Sequence, residues 1–296
     1  MTNYLEVDDL TPDQLSEVLG LATADRPPQV LDGLGVALVF EKPSARTRNS
    51  MEMAVVQLGG HPVTIRPDEI GLDTRESVED VARTLACYHA AIGARVFEHE
   101  KVERMAAVAG VPVLNLLSDA AHPMQALADI LTIQQELGDP SGRTLAYVGD
   151  GNNVCRSLGI AAGMVGMKMR VATPPGHELA ESDLTRVSAA GVDPLITTVA
   201  AEAVEGADVV YTDVWASMGD EGEADTRRQA FADFSIDAGL MAAAAPNGIF
   251  LHCLPAHRGE EVAAEVIDGP QSRVWTQAEN RMHAARGLLA WLLDRR

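Results

Sequence analysis

Six consecutive apolar residues, GVALVF (35–40), pass into the polar loop EKPSARTR and then into a segment where Met51, Met53, Ala54, Val55 and Leu58 recur at helical spacing. The same succession of apolar strand, polar loop and small-residue helix returns at TLAYVG (144–149) and DGNNVCRSLGIAAGMVG. VPVLNL (111–116), MRVATP (169–174), ADVVYTD (207–213) and GIFLHC (248–253) are further strands that alternate with helical patterns. Strands that read as unbroken apolar runs are buried on both faces, and strands joined through helices run parallel to one another. The alternation therefore predicts an α/β chain of doubly wound parallel sheets covered by helices.

At 296 residues the chain is long enough for two domains, each with its own core. No repeat of 20–50 residues and no low-complexity segment interrupts it. The joint is expected near LGDPSGR (137–143), where Gly, Pro and Ser break a helix that starts at Pro123. That gives a first domain over 1–134 and a second over 135–275. The last segment, 276–296, contains QAENRMHAARGLLAWLLDRR and reads as a helix whose apolar face packs back on the first domain.

A net charge of −20 argues against a nucleic-acid or anionic-membrane surface, since either needs basic patches. Only Lys42, Lys101 and Lys168 are lysines, so the positive charge is nearly all arginine. GC-rich coding accounts for that, as does adaptation to high salt, in which a dense carboxylate surface stays soluble and its self-repulsion is screened. Cys87, Cys155 and Cys253 are odd in number and fit neither a disulfide framework nor a zinc motif. The start, MTNYLEVDDLTPDQLSEVLG, is acidic and amphipathic, unlike a targeting peptide. No apolar run reaches the roughly 20 residues of a membrane helix, so a cytoplasmic protein is expected.

Ligands of open parallel sheets bind at the carboxyl ends of strands, and the chemistry-bearing motifs fall there. In SARTR, Ser44 can cap a helix whose first N–H groups, from Ala45 to Thr47, already favour an anion. Arg46 and Arg48 add like charge to that end, which makes sense if an anion with at least two charges sits among them. In SDAAHPMQALAD (118–129), His122 precedes a proline suited to a first helical turn; it can donate to a carbonyl oxygen while Gln125 accepts from an amide, or simply cap the helix. GDGNN (149–153) opens like a dinucleotide fingerprint, but Val154 stands where the third glycine belongs, so an NAD-dependent dehydrogenase rests on GDG alone. Asn152 and Asn153 can bind a carboxylate from that loop, or shape a turn. In DVWASMGDE (213–221) an acid at the strand tip and the hydroxyl of Ser217 suit an ammonium ligand. LHCLPAHRGEE (251–261) ends a strand at Cys253, which is core filler or a thiol tuned by a neighbouring charge. His252, Cys253 and His257 lack a zinc spacing, so no metal is expected.

Taken in order, these motifs resemble those of the aspartate/ornithine transcarbamylase family, and most closely those of its ornithine-using members. SARTR is similar to the family's S-T-R-T-R, HPMQ to H-P-x-Q and DVWASMG to D-x-W-x-S-M-G, while HCLP matches outright. The likeness runs from DDLTPDQ (8–14) to AENRMHAARGLLAWLL (278–293). It implies two α/β domains linked by helices, the first binding carbamoyl phosphate and the second L-ornithine. It also implies a homotrimer with active sites at subunit interfaces, and no cofactor. The reaction implied is carbamoyl transfer to the δ-amine, giving L-citrulline and phosphate for arginine biosynthesis.

By motif, the resemblance assigns Ser44, Ala45, Arg46, Thr47 and Arg48 to the phosphate. Arg95, in IGARVFEHE, and His122 would donate to the carbamoyl oxygen. Gln125, the backbone at Cys253 and Leu254, and Arg281 in ENRMH would hold the amide end. Asn153, Asp213, Ser217 and the backbone of Met218 would hold the α-carboxylate and α-amino groups. Cys253, beside Asp213, is where amine recognition and deprotonation are expected. The catalytic set is thus Arg46, Arg95, His122 and Cys253.

Two departures stand out. Ala45 replaces a threonine but keeps its backbone amide. In RPDEIGLDTRES (66–77), Gly71 stands where family members carry a residue that reaches a neighbouring subunit's site, with Thr74 and Arg75 as substitutes. Rival readings are a transcarbamylase for a related amine or N-acylated ornithine, and a homologue that binds carbamoyl phosphate without turnover. A second carboxylate, as on aspartate, would want a basic pocket, and putrescine would leave Asn153 with nothing to hold.

Overall fold

The computed structural model describes residues 2–216 and 224–294. The chain divides into two compact units, the first made of Met1–Ala128 with Glu279–Arg296 and the second of Asp129–Ala278.

The first unit carries a four-stranded sheet of β1 (Gly35–Phe40), β2 (His61–Ile65), β3 (Ala91–Arg95) and β4 (Val113–Leu117), in the order β2-β1-β3-β4. All three pairings are parallel. The strand order reverses between β1 and β3, and at such a switch point the loops after the two strands diverge and leave a crevice. One side of the sheet is covered by helix Val78–Ala86, whose Val78, Val81, Ala82 and Leu85 join Val39, Ile92, Val102 and Met105 in one core. Each large aliphatic side chain buried there contributes about 1.5–3 kcal/mol. Ser77 caps the helix by accepting from the Asp80 N–H at 3.1 Å.

The end of helix Val274–Asp294 completes this unit. Arg286 donates to the carbonyl of Ala22 at 2.6 Å and to Gln57 at 2.9 Å, and Trp291 Nε1 donates to Glu17 at 2.7 Å. At Gly287 a Cβ would lie 2.5 Å from the Val18 carbonyl oxygen, a separation only glycine permits.

The second unit holds β5 (Thr144–Val148), β6 (Lys168–Ala172), β7 (Leu195–Thr197), β8 (Val209–Thr212) and β9 (Ile249–His252), in the order β7-β6-β5-β8-β9 and again all parallel. Its switch point is between β5 and β8, so the loops carrying Asn152 and Asp213 start from adjacent strands. Trp215, Phe231, Phe234 and Phe250 dominate a buried cluster on one side. Gly151 in the first of those loops is obligatory: a Cβ would stand 2.3 Å from the Leu179 backbone nitrogen.

The division between units falls at Ala128, inside the continuous helix Pro123–Leu137, and again inside helix Val274–Asp294. It thus precedes the 134/135 position suggested by the Gly, Pro and Ser break, because an unbroken helix carries no punctuation where it passes between compact units. Among the described residues no helix is long and apolar enough to cross a membrane.

Candidate active site

In the first unit, Ser44 is the N-cap of helix Ala45–Gln57, its hydroxyl accepting from the Thr47 N–H at 3.3 Å. The Thr47 hydroxyl is a common anchor. It accepts from Arg95 Nη1 at 3.3 Å and from Arg281 Nη2 at 3.3 Å, and Ser44 Oγ donates to it at 3.1 Å. Arg281 also donates to the Gln125 side-chain oxygen. Thr47, Arg95, His122, Gln125 and Arg281 are all buried. Helix start, strand end and the returning final helix thereby bring two buried guanidinium groups to one helix amino terminus, where the backbone dipole adds to their field. Arg46 and Ala45 lie exposed on the same first turn. Arg48 is engaged further along the helix, where its Nε meets Glu52 at 2.8 Å and Glu52 accepts from Thr64 at 2.6 Å.

His122 is held neutral. Burial, and then the charges of Arg281, Arg95 and Arg46, push its imidazole well below the usual histidine range. A neutral imidazole among three cations can donate one hydrogen bond to an oxygen without adding a fourth charge. Its cost appears in acid. The unfolded chain takes up a proton below about pH 6.5 that the folded chain refuses, so stability present above that pH is lost as pH falls toward the folded value, by up to about 1.4 kcal/mol per unit. Urea unfolding at about pH 7.5 and about pH 5.5 should show a smaller acid loss for His122→Gln than for the parent. His89 and His283, also pushed down by burial, cancel in that comparison.

In the second unit, Asp213 follows β8 and is buried. Its Oδ1 accepts from the Cys253 thiol at 2.8 Å and from the Val214 N–H at 2.8 Å, while its Oδ2 accepts from the Asn152 amide at 3.1 Å. Asn153 is the first residue of helix Asn153–Met164, behind Asn152 as N-cap. Leu254 has φ +59° and donates its N–H to His252 Nδ1 at 2.8 Å, and His252 Nε2 faces the buried Glu261 at 3.2 Å. The His252 N–H is taken by Gln277, which donates in turn to Asp129 at 2.7 Å and to Tyr211 at 3.3 Å. Asp213, His252 and Cys253 offer three ligand atoms within 4.8 Å of one another. Both ring nitrogens of His252 are engaged as described, so that cluster has no imidazole lone pair to give a metal.

Of the residues singled out from sequence, the first unit gathers Ser44, Thr47, Arg95, Gln125 and Arg281 with His122 in their field, and the second gathers Asp213 and Cys253. Ser217 and Met218 lie outside the described residues. Thr74 and Arg75 bond to their own loop: the Thr74 hydroxyl donates to the Gly71 carbonyl at 3.0 Å and Arg75 to the Glu69 carbonyl at 3.2 Å. The motifs did not single out Gln277. A buried glutamine on the final helix offers no sequence signal of the strand end it supports.

The carbamoyl-P binding domain of aspartate/ornithine carbamoyltransferase matches residues 2–135, and the Asp/Orn binding domain of the same family matches residues 141–292. An ornithine carbamoyltransferase of Parafrankia sp. (strain EAN1pec) is 47% identical, covering 99% of this chain and 96% of that protein. One from Acidothermus cellulolyticus is 48% identical, with the same coverage. The structure of ornithine carbamoyltransferase from Pyrococcus furiosus superposes with a TM-score of 0.94 at 43% identity, over 99% of this chain and 97% of that one. Matching domains in matching order, on two parallel sheets with polar clusters at their carboxyl ends, make this chain a member of the aspartate/ornithine carbamoyltransferase family.

Proposed function

We propose that the protein transfers the carbamoyl group of carbamoyl phosphate to the δ-amine of L-ornithine, giving L-citrulline and phosphate. The observation that carries this is the convergence of Arg95, Arg281 and Ser44 on the Thr47 hydroxyl at a helix amino terminus, with a neutral imidazole alongside. A phosphate dianion suits the helix N–H groups, Ser44, Thr47 and Arg46. Arg48, already paired with Glu52, contributes to the field more than to direct contact.

The δ-amine resembles lysine, with a pKa of about 10.4 in water, so its ammonium form must lose a proton before it attacks. The Asp213 carboxylate with the Cys253 thiol on it suits an arriving ammonium, and Asn153 at its helix terminus suits the α-carboxylate. As the C–N bond forms, negative charge gathers on the carbamoyl oxygen, where Arg95 and His122 donate. The bond to the phosphate oxygen then breaks, phosphate leaves with the electron pair, and the excess proton on the new C–N nitrogen is given up to the departing phosphate. Donors fixed before the reaction need no reorganisation during it. Gln125, Arg281 and the backbone of Cys253 and Leu254 hold the amide end in the same scheme.

Homotrimeric assembly with active sites at subunit interfaces, a cytoplasmic location and service in arginine biosynthesis belong to this reading. The mass in solution should be three times the 31.5 kDa chain. The deciding assay is product formation from carbamoyl phosphate with L-ornithine, run beside putrescine, aspartate and N-acetylornithine. Strong preference for ornithine is expected. Preference for another amine, or tight carbamoyl phosphate binding with no turnover of any of them, would overturn the proposal.

A further inference from the structure

Asn152 has a second task beyond capping a helix. Its Oδ1 accepts from the backbone N–H groups of Val154 and Cys155 at 3.0 and 3.1 Å, and the Tyr147 hydroxyl approaches the same oxygen at 3.4 Å. Those donors fix which end of the amide is oxygen. The Nδ2 end is therefore left to donate, and it does so to Asp213 Oδ2 at 3.1 Å. The other oxygen of Asp213 carries the Cys253 thiol. A helix terminus, an amide, a carboxylate and a thiol thus form one chain of hydrogen bonds across the loops after β5, β8 and β9.

We infer that Asn152 is a positioning residue, which uses the amino terminus of helix Asn153–Met164 as a fixed base to hold the Asp213 carboxylate with Oδ1 toward Cys253. A cap alone needs only the oxygen, and serine, aspartate or asparagine would serve equally. Of these three, aspartate lacks a donor and serine, though its hydroxyl can donate, is too short to reach Asp213, so only asparagine both accepts from the helix and donates to the carboxylate. The loop that carries it is itself fixed, because Gly151 donates its N–H to the His177 carbonyl at 2.8 Å and leaves no room for a side chain. Nearby, Arg227 bonds to the Asp150 carboxylate and to the Trp215 carbonyl, tying the loop after β5 to the one after β8.

The groups facing Asp213 are Cys253, Asn152, the buried phenols of Tyr147 and Tyr211, and His252, whose ring nitrogens are engaged elsewhere. No described cation bonds to this carboxylate. The Asn152 amide is thus a main source of positive potential on the oxygen turned away from the thiol, and its loss should change how the carboxylate and thiol share a proton.

The test uses two variants that keep the helix cap. Asn152→Ser retains an acceptor but is too short to reach Asp213, and Asn152→Asp retains the acceptor but sets a second carboxylate against the first. Both should keep carbamoyl phosphate affinity; Asn152→Ser should keep a melting temperature close to the parent's, while Asn152→Asp should lower it through repulsion between the two carboxylates. Both should lower kcat/KM for ornithine by about 10- to 100-fold, the range set by losing a hydrogen bond to a charged group. The second readout is the pH dependence of Cys253 alkylation by iodoacetamide in a Cys87→Ser background, since Cys87 is exposed and Cys155 is buried. Its midpoint should move to higher pH in both variants, further in Asn152→Asp. Only the ornithine readout rests on the proposed function; the thiol readout stands without it. If the parent does not use ornithine but the midpoint moves, the function fails and the positioning role holds. If the midpoint is unmoved in Asn152→Ser, or if activity falls only in step with melting temperature, Asn152 is a cap and nothing more.

Discussion

An Arg95→Gln variant should turn over about 10²- to 10³-fold more slowly than the parent, in keeping with removal of one preorganised donor to a developing oxyanion. Arg95 is the last residue of β3, buried, and hydrogen-bonded to the Thr47 hydroxyl. Its charge is therefore in place before any substrate arrives. Glutamine keeps much of the volume and one donor but not the charge. The fall should lie in kcat, with the Michaelis constant for ornithine changed little, because in the proposed reaction the group would act where charge develops and not where the amine docks. Stability should not fall with activity. Arg95 shares its surroundings with Arg46 and Arg281, all three acting on His122, so removing one relieves like-charge repulsion. Steady-state kinetics beside a melting curve separate the two. A variant that loses activity only by unfolding would remove Arg95 from the chemistry.

Cys253→Ala should lower kcat/KM for ornithine by about 10²-fold and alter its pH profile, while carbamoyl phosphate still binds. Among the described residues the thiol is the one group donating to Asp213 Oδ1 from outside the loop after β8, at 2.8 Å. In the proposed reaction an incoming ammonium would meet a carboxylate that already accepts a hydrogen bond from the thiol. With alanine that hydrogen bond is gone, and Asp213 would face the amine without the thiol, as a simple counter-ion. Ground-state attraction survives, but the route by which the amine sheds its proton changes. An unchanged pH profile would remove Cys253 from proton handling and leave it as packing.

Much of this was legible in the sequence for a physical reason. Strands buried on both faces read as unbroken apolar runs, so GVALVF, TLAYVG and GIFLHC announced β1, β5 and β9, and the polar residues directly after them marked the carboxyl ends of two sheets. Strands that break that rule were less visible. β2, HPVTI, begins with an exposed histidine and a proline at a sheet edge, and β7 is three residues long with Leu195 exposed. The site followed the same logic. Ser44 and Asn152 stand where helix caps belong, but only coordinates reveal that the Asn152 amide continues to Asp213. Arg48 looked equivalent to Arg46 until Glu52, one turn on, claimed it.

The discontinuous make-up of the first unit has a consequence for how the protein is born. Its residues up to Ala128 leave the ribosome about 150 residues ahead of the Glu279–Arg296 segment that belongs with them. At about 5–20 residues per second that is a wait of roughly 8–30 s. Through that interval the carbonyl of Ala22, the carboxylate of Glu17 and the hydroxyl of Thr47 lack Arg286, Trp291 and Arg281. The second unit, continuous in sequence, can mature first. The Thr47–Arg281 contact is therefore among the last parts of the molecule to be finished, so in the proposed scheme a nascent or truncated chain would have no complete phosphate grip.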